Sequence, residues 1–122
     1  MRKLNTGATR DADDNKFDYE GFLSPIVIRR FGEYMHQHRK QADGKLRASD
    51  NWQKGIPKDQ YVKSLWRHFH DLWMLHRGYK AVDDKGQVVG IEDAICGILF
   101  NAMGYLHEYL VEKINKVSSS EE

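Results

Sequence analysis

Cysteine occurs once, at Cys96, in a chain of 122 residues. A single thiol excludes an intramolecular disulfide and a Cys-rich zinc site, and it suits a reducing compartment. Proline occurs only at Pro25 and Pro57. Both read as helix starts, where a missing N–H does least harm. Charge excess is also absent: 19 Lys and Arg stand against 18 Asp and Glu, a net charge of +1. A polybasic membrane-surface binder or a generic nucleic-acid coat needs a large positive field, so neither polymeric nucleic acid nor a membrane is expected as partner. The longest uncharged run, Ala94 to Leu106, contains Asn101 and reads as too short to span a bilayer. Met1 to Lys16 is polar and carries no signal-peptide pattern. No GxxxxGK[ST], GxGxxG or HExxH motif is found, and Ser24, Ser64 and Cys96 stand in no nucleophile motif.

What remains is the composition of one soluble domain, 40% apolar and 30% charged, too short for two independent cores. Residues 1–16 read as a flexible N-terminal arm, 17–117 as a single helical domain, and 118–122 as a flexible tail of Ser and Glu. Ser24-Pro25 reads as an N-cap and first helical residue. Val27, Phe31, Tyr34, Met35 and His38 then follow at helical spacing, fading near Lys40. Gly44 to Lys58 is a long polar connection for a helical bundle, and long ordered loops are often functional. A second helix is expected from Gln60, capped by Asp59, to about Arg77, stopped by Gly78. Its apolar face reads as Val62, Leu65, Trp66, Phe69, Leu72, Trp73 and His76. Ala81 to Gly90 reads as a turn-bearing link or small hairpin. A third helix, about Glu92 to Ile114, is apolar nearly all round and is expected at the centre or at a subunit interface. The predicted fold is all-α: a compact bundle of three main helices, forming a homo-oligomer because two other helices cannot cover so apolar a third.

Three patterns carry chemistry. On the second helix His68 and Asp71 stand three residues apart, near enough to face one ligand or ion; Glu33 and His36 repeat the spacing on the first. The adjacent pair His70-Asp71 diverges by about 100° and is a poor chelate. In the long loop, Trp52 offers a stacking platform and Asn51 can read a base edge. Lys54, with Arg47 and Arg67, can meet phosphates. On the third helix Asp93, Gly97, Asn101, Gly104 and Glu108 form a narrow stripe. Its glycines admit close approach of a helix or ligand, and an Asn amid apolar neighbours needs a hydrogen-bond partner.

These motifs fall in a recognisable order: Lys16-Phe17-Asp18, then Arg47 to Gly55 with Asn51-Trp52, then Ser64 with Arg67-His68, then Asn101-Ala102-Met103. In that order the chain resembles the small, mostly phage-encoded dATP/dGTP diphosphohydrolase N-terminal domain family, akin to the all-α MazG-like nucleotide pyrophosphatases. The resemblance implies hydrolysis of a purine deoxynucleoside triphosphate to monophosphate and pyrophosphate with Mg²⁺ or Mn²⁺. It implies a cytoplasmic location, that of the host for a phage-encoded chain. The site it implies has His68 and Asp71 as catalytic residues. Arg47, Asn51, Trp52, Lys54, Arg67 and Asn101 would hold the nucleotide, and Glu33, Asp71 and Asp93 the metal. The sequence departs from the MazG-like Glu-x-x-Glu and Glu-x-x-Asp signatures, since Glu33 is followed at plus three by His36 and Glu92 by Ile95. The alternative functions are a non-catalytic protein of the same fold that sequesters a signalling nucleotide, and a purely structural helical assembly protein.

Overall fold

The computed structural model describes residues 5–10, 12 and 15–116 in full and residues 2–3 and 117–121 by their backbone. The remaining positions of the expected arm and tail lie outside the described residues. Within the arm, β1 (Arg2–Lys3) pairs antiparallel with β2 (Thr9–Arg10). The short helix α1 (Tyr19–Phe22) follows, capped by Asp18, whose carboxylate accepts the Gly21 N–H at 2.9 Å.

Helix α2 (Pro25–Gln37) starts as its sequence dictates: Ser24 Oγ accepts the Val27 N–H and Pro25 takes the first turn. After it the chain folds back in a tight hairpin bridged at Lys40 and Leu46, with Gly44 at φ +85. Arg47 N–H donates to the Arg39 carbonyl and Arg39 Nε donates to the Arg47 carbonyl, both at 2.8 Å. The long polar connection is therefore ordered, and it ends in a single 3-10 turn, Asn51–Lys54.

Helix α3 (Lys58–His76) begins two residues earlier than the sequence predicts. Pro57 occupies the cap position without a side-chain hydrogen bond, and Asp59 sits in the first turn, where its charge still complements the helix dipole. Gly78, at φ +86, stops the helix, its N–H on the Leu75 carbonyl. The link is a hairpin of β3 (Ala81–Val82) and β4 (Val88–Val89). Its turn is closed by Asp83, whose Oδ1 accepts the N–H groups of Lys85 and Gln87.

Helix α4 runs Ile91–Glu121, 31 residues, several beyond the expected end at Ile114. At 1.5 Å per residue it is about 46 Å long against about 28 Å for α3, so its C-terminal third overhangs. The uncharged run lies within it, and the longer stretch Ile91–Lys116 is long and apolar enough, by length and composition alone, to cross a membrane.

The core is the antiparallel pair α3–α4. A methyl group on Gly97 would overlap the His68 ring, and one on Gly104 would overlap the Tyr61 ring. The glycines thus mark where α3 side chains press against the α4 backbone. Tyr61, Ala94, Cys96 and Asn101 are buried here, and Asn101 donates its Nδ2–H to the Gly97 carbonyl at 2.7 Å. The apolar face predicted for α3 is largely turned elsewhere: Val62, Trp66, Phe69 and Trp73 are exposed. Helix α2 is tied to α4 chiefly by Arg30, which donates to Glu92 and Asp93, both at 2.7 Å.

Candidate functional site

A cavity of about 530 Å³ opens between α2, the ordered loop, and the α3–α4 pair. That volume lies in the range of small-molecule sites. Tyr34, Met35 and His36 line it from α2, and Arg39 and Arg47 from the loop base. Asn51, Trp52 and Ile56 come from the 3-10 turn and its exit, Ser64 and His68 from α3, and Phe100 and Asn101 from α4.

Local structure sets each of these groups. Trp52 stands edge-on to Phe100, with centroids 6.0 Å apart, and to His107 at 4.8 Å. The loop is held down a second time where the Ile56 N–H donates to Glu108 at 3.4 Å. Trp52 thus anchors the loop and walls the cavity at once. The Arg47 guanidinium donates to the His38 carbonyl at 2.9 Å, which closes off the C-terminus of α2. Arg39 lies beside the His36 ring, and His38 stacks on Tyr34 with centroids 4.1 Å apart. Arg39, Arg47, His36 and His38 make one end of the cavity basic and rich in N–H donors.

The other end is drier. His68 lies half-buried at the glycine crossing, its Nδ1 buried without a hydrogen-bond partner among the described residues. Burial, above all, holds its imidazole below the ordinary value; Asp71 opposes this, and Arg67 and His38 add to it. His68 is therefore neutral near pH 7. Burial likewise pushes the Tyr34 phenol up to about 12 and raises the Cys96 thiol, so neither is an ionised nucleophile at neutral pH.

Of the residues expected at the site, Arg47, Asn51, Trp52, His68 and Asn101 are gathered around this cavity. Lys54 and Arg67 are exposed and stand outside the lining. Asp71, one turn beyond His68, also lies outside it. The carboxylates assigned to Mg²⁺ or Mn²⁺ do not fit one ion. Asp93 is neutralised by Arg30 at 2.7 Å, and Glu33 is exposed beside Arg29 at 3.8 Å. Among the described residues, no three His, Cys, Asp or Glu side chains come together as a metal-binding group. Arg39 and Phe100 are lining residues that sequence reasoning missed. Arg39 sits in an ordinary basic stretch, and Phe100 in an apolar run where no pattern separates it from its neighbours. The chain matches no family model, no curated protein and no solved structure.

Proposed function

We propose that the chain binds a purine nucleotide in this cavity. The observation that supports the reading is the convergence of Arg47, Asn51, Trp52, His68 and Asn101, from three separated stretches of sequence, on one pocket of nucleotide size. Trp52 and Phe100 offer aromatic surface for the base, and base–aromatic stacking contributes about 1–3 kcal/mol. Asn51 and Asn101 supply amides for a base edge; Asn101 has one amide N–H committed to its own helix. The basic end, Arg39 and Arg47 with His36, faces the phosphates, where bidentate guanidinium contacts are strongest.

Binding rather than turnover is the reading the arrangement supports best. Pyrophosphate release, the activity implied by the resemblance, relies on carboxylate-held metal, and the candidate carboxylates are dispersed or already paired with arginine. Titration calorimetry with dATP, dGTP, dCTP and dTTP, with and without Mn²⁺, tests both. Binding of purine nucleotides in preference to pyrimidine ones, without pyrophosphate release, is the expected result. Release of pyrophosphate would favour the diphosphohydrolase, and absence of binding in every titration would leave the structural assembly role.

A further inference from the structure

We infer, resting on the nucleotide reading, that the ligand of the cavity is a purine nucleoside monophosphate held without a divalent ion. This differs from the metal-bound triphosphate that the resemblance implies. Among the described residues, no Asp or Glu side chain lines the cavity. Mg²⁺ that binds with a nucleotide is held by one or two protein carboxylates as well as by the phosphates. Here the carboxylates of α4 are engaged elsewhere: Glu92 and Asp93 accept from Arg30, and Glu108 accepts the Ile56 N–H. A divalent ion carried in on the phosphates would meet Arg39 and Arg47 instead, and like charges repel it.

The number of cations sets the charge of the ligand. Arg39 and Arg47 are the only Lys or Arg side chains in the lining. Arg39 spends its Nε–H on the Arg47 carbonyl, and Arg47 spends one Nη2–H on the His38 carbonyl. A guanidinium has five N–H donors, so most remain for a ligand. A phosphate monoester carries about −1.5 to −2 at pH 7, which two guanidiniums match. A triphosphate carries about −4, one charge on each phosphoryl group and a second on the last, and would keep about half of it uncompensated. The C-terminus of α2, which ends here, brings partial negative charge and narrows the match further. Lys40, Lys45 and Lys54 stand exposed outside the lining, where water and salt screen them.

The gradient of burial sets the direction of entry. Tyr34 and Asn101 are buried and His68 and Phe100 half-buried, whereas His36, His38 and Arg47 are exposed. The base therefore enters first, and its phosphate stays at the mouth between the two guanidiniums. Bidentate contacts from arginine suit a single phosphate group held in this way. The further phosphates of a triphosphate would have solvent, and no lining cation, as their partner.

Titration calorimetry on the full chain tests this with deoxyadenosine, dAMP and dATP and their guanine counterparts, each in EDTA and in excess Mg²⁺ or Mn²⁺. The monophosphate should bind at least about tenfold tighter than the nucleoside, as charge-assisted hydrogen bonds allow. It should also bind tighter than the triphosphate in EDTA, and either metal should leave its affinity unchanged. Arg39→Gln should shrink the advantage of monophosphate over nucleoside, and retained nucleoside binding in that variant shows the loop still folded. Where the variant loses the nucleoside as well, the comparison of EDTA with metal on the native chain decides. A triphosphate bound tighter than the monophosphate, affinity gained on adding Mg²⁺ or Mn²⁺, or nucleoside and monophosphate bound equally would each overturn the inference and leave the nucleotide reading standing. Absence of binding by all of these ligands would end both.

Discussion

The two glycines of α4 and the side chains they admit decide how closely the core helices approach. Gly97 leaves room for the His68 ring and Gly104 for that of Tyr61. A methyl group at either forces a shift of a packed ring, which typically costs about 1–3 kcal/mol. That exceeds the roughly 1 kcal/mol that alanine gains over glycine in a helix. Gly97→Ala and Gly104→Ala should therefore both lower stability in urea unfolding. Gly32→Ala on α2, where an added Cβ meets nothing within 4 Å, should raise it by roughly 0.5–1 kcal/mol. A stabilised Gly104→Ala chain would contradict the close crossing. His68 supplies a second test at this scale. Its folded-state pKa is lowered from 6.5 by burial first, so the folded state binds its proton less readily than the unfolded state does. The contribution is fully present above 6.5 and is lost as pH falls through 6.5 toward the lower folded value. Thermal melts should show a midpoint that drops over this window, and the drop should be smaller in His68→Gln.

At the scale of elements, the loop between α2 and α3 and the helix α2 itself are held by few contacts. Trp52, wedged against Phe100 and His107, fastens the loop. Trp52→Ala should leave the helical circular dichroism intact while speeding tryptic cleavage after the exposed Lys45 and Arg47, and it should weaken purine binding at the same time. Loss of binding without faster cleavage would assign Trp52 to the ligand alone; faster cleavage with binding intact would assign it to the loop alone. Helix α2 hangs on the fork of Arg30 to Glu92 and Asp93. Arg30→Gln should loosen α2, seen as faster amide exchange over residues 25–37. The effect should shrink at high salt, because part-exposed ion pairs are screened.

For the molecule as a whole, the exposed apolar side chains, Trp66 and Trp73 among them, make a link between folding and association testable. A chain stabilised by its own second copy has a melting midpoint that depends on concentration. The midpoint should rise on going from low to high micromolar protein, and a constant midpoint would mean that the single chain is stable alone. The cavity is lined by residues of one chain, so nucleotide binding should show one site per chain.

The helices themselves were legible in the sequence because their causes are local. Ser24 and Pro25 start α2, Gly78 ends α3, and hydrophobic spacing marks the rest, all through contacts within a few residues. The glycine and Asn101 stripe was legible too, as a place of close approach with an amide that must be satisfied. Half of the candidate site was equally readable, since Arg47, Asn51, Trp52, His68 and Asn101 are of types with few other uses in such positions. What only the tertiary structure decided is which sector of each helix meets which neighbour. Periodicity defines an apolar arc on α3 from Tyr61 to Trp73, but not that Tyr61 and His68 turn inward while Trp66 and Trp73 turn out. That choice belongs to Gly97 and Gly104 on α4, because only there can two helix backbones come close. The same long-range packing gives Asp93 to Arg30 and brings Arg39 and Phe100 to the cavity, contacts between residues too far apart in sequence for any spacing rule to register.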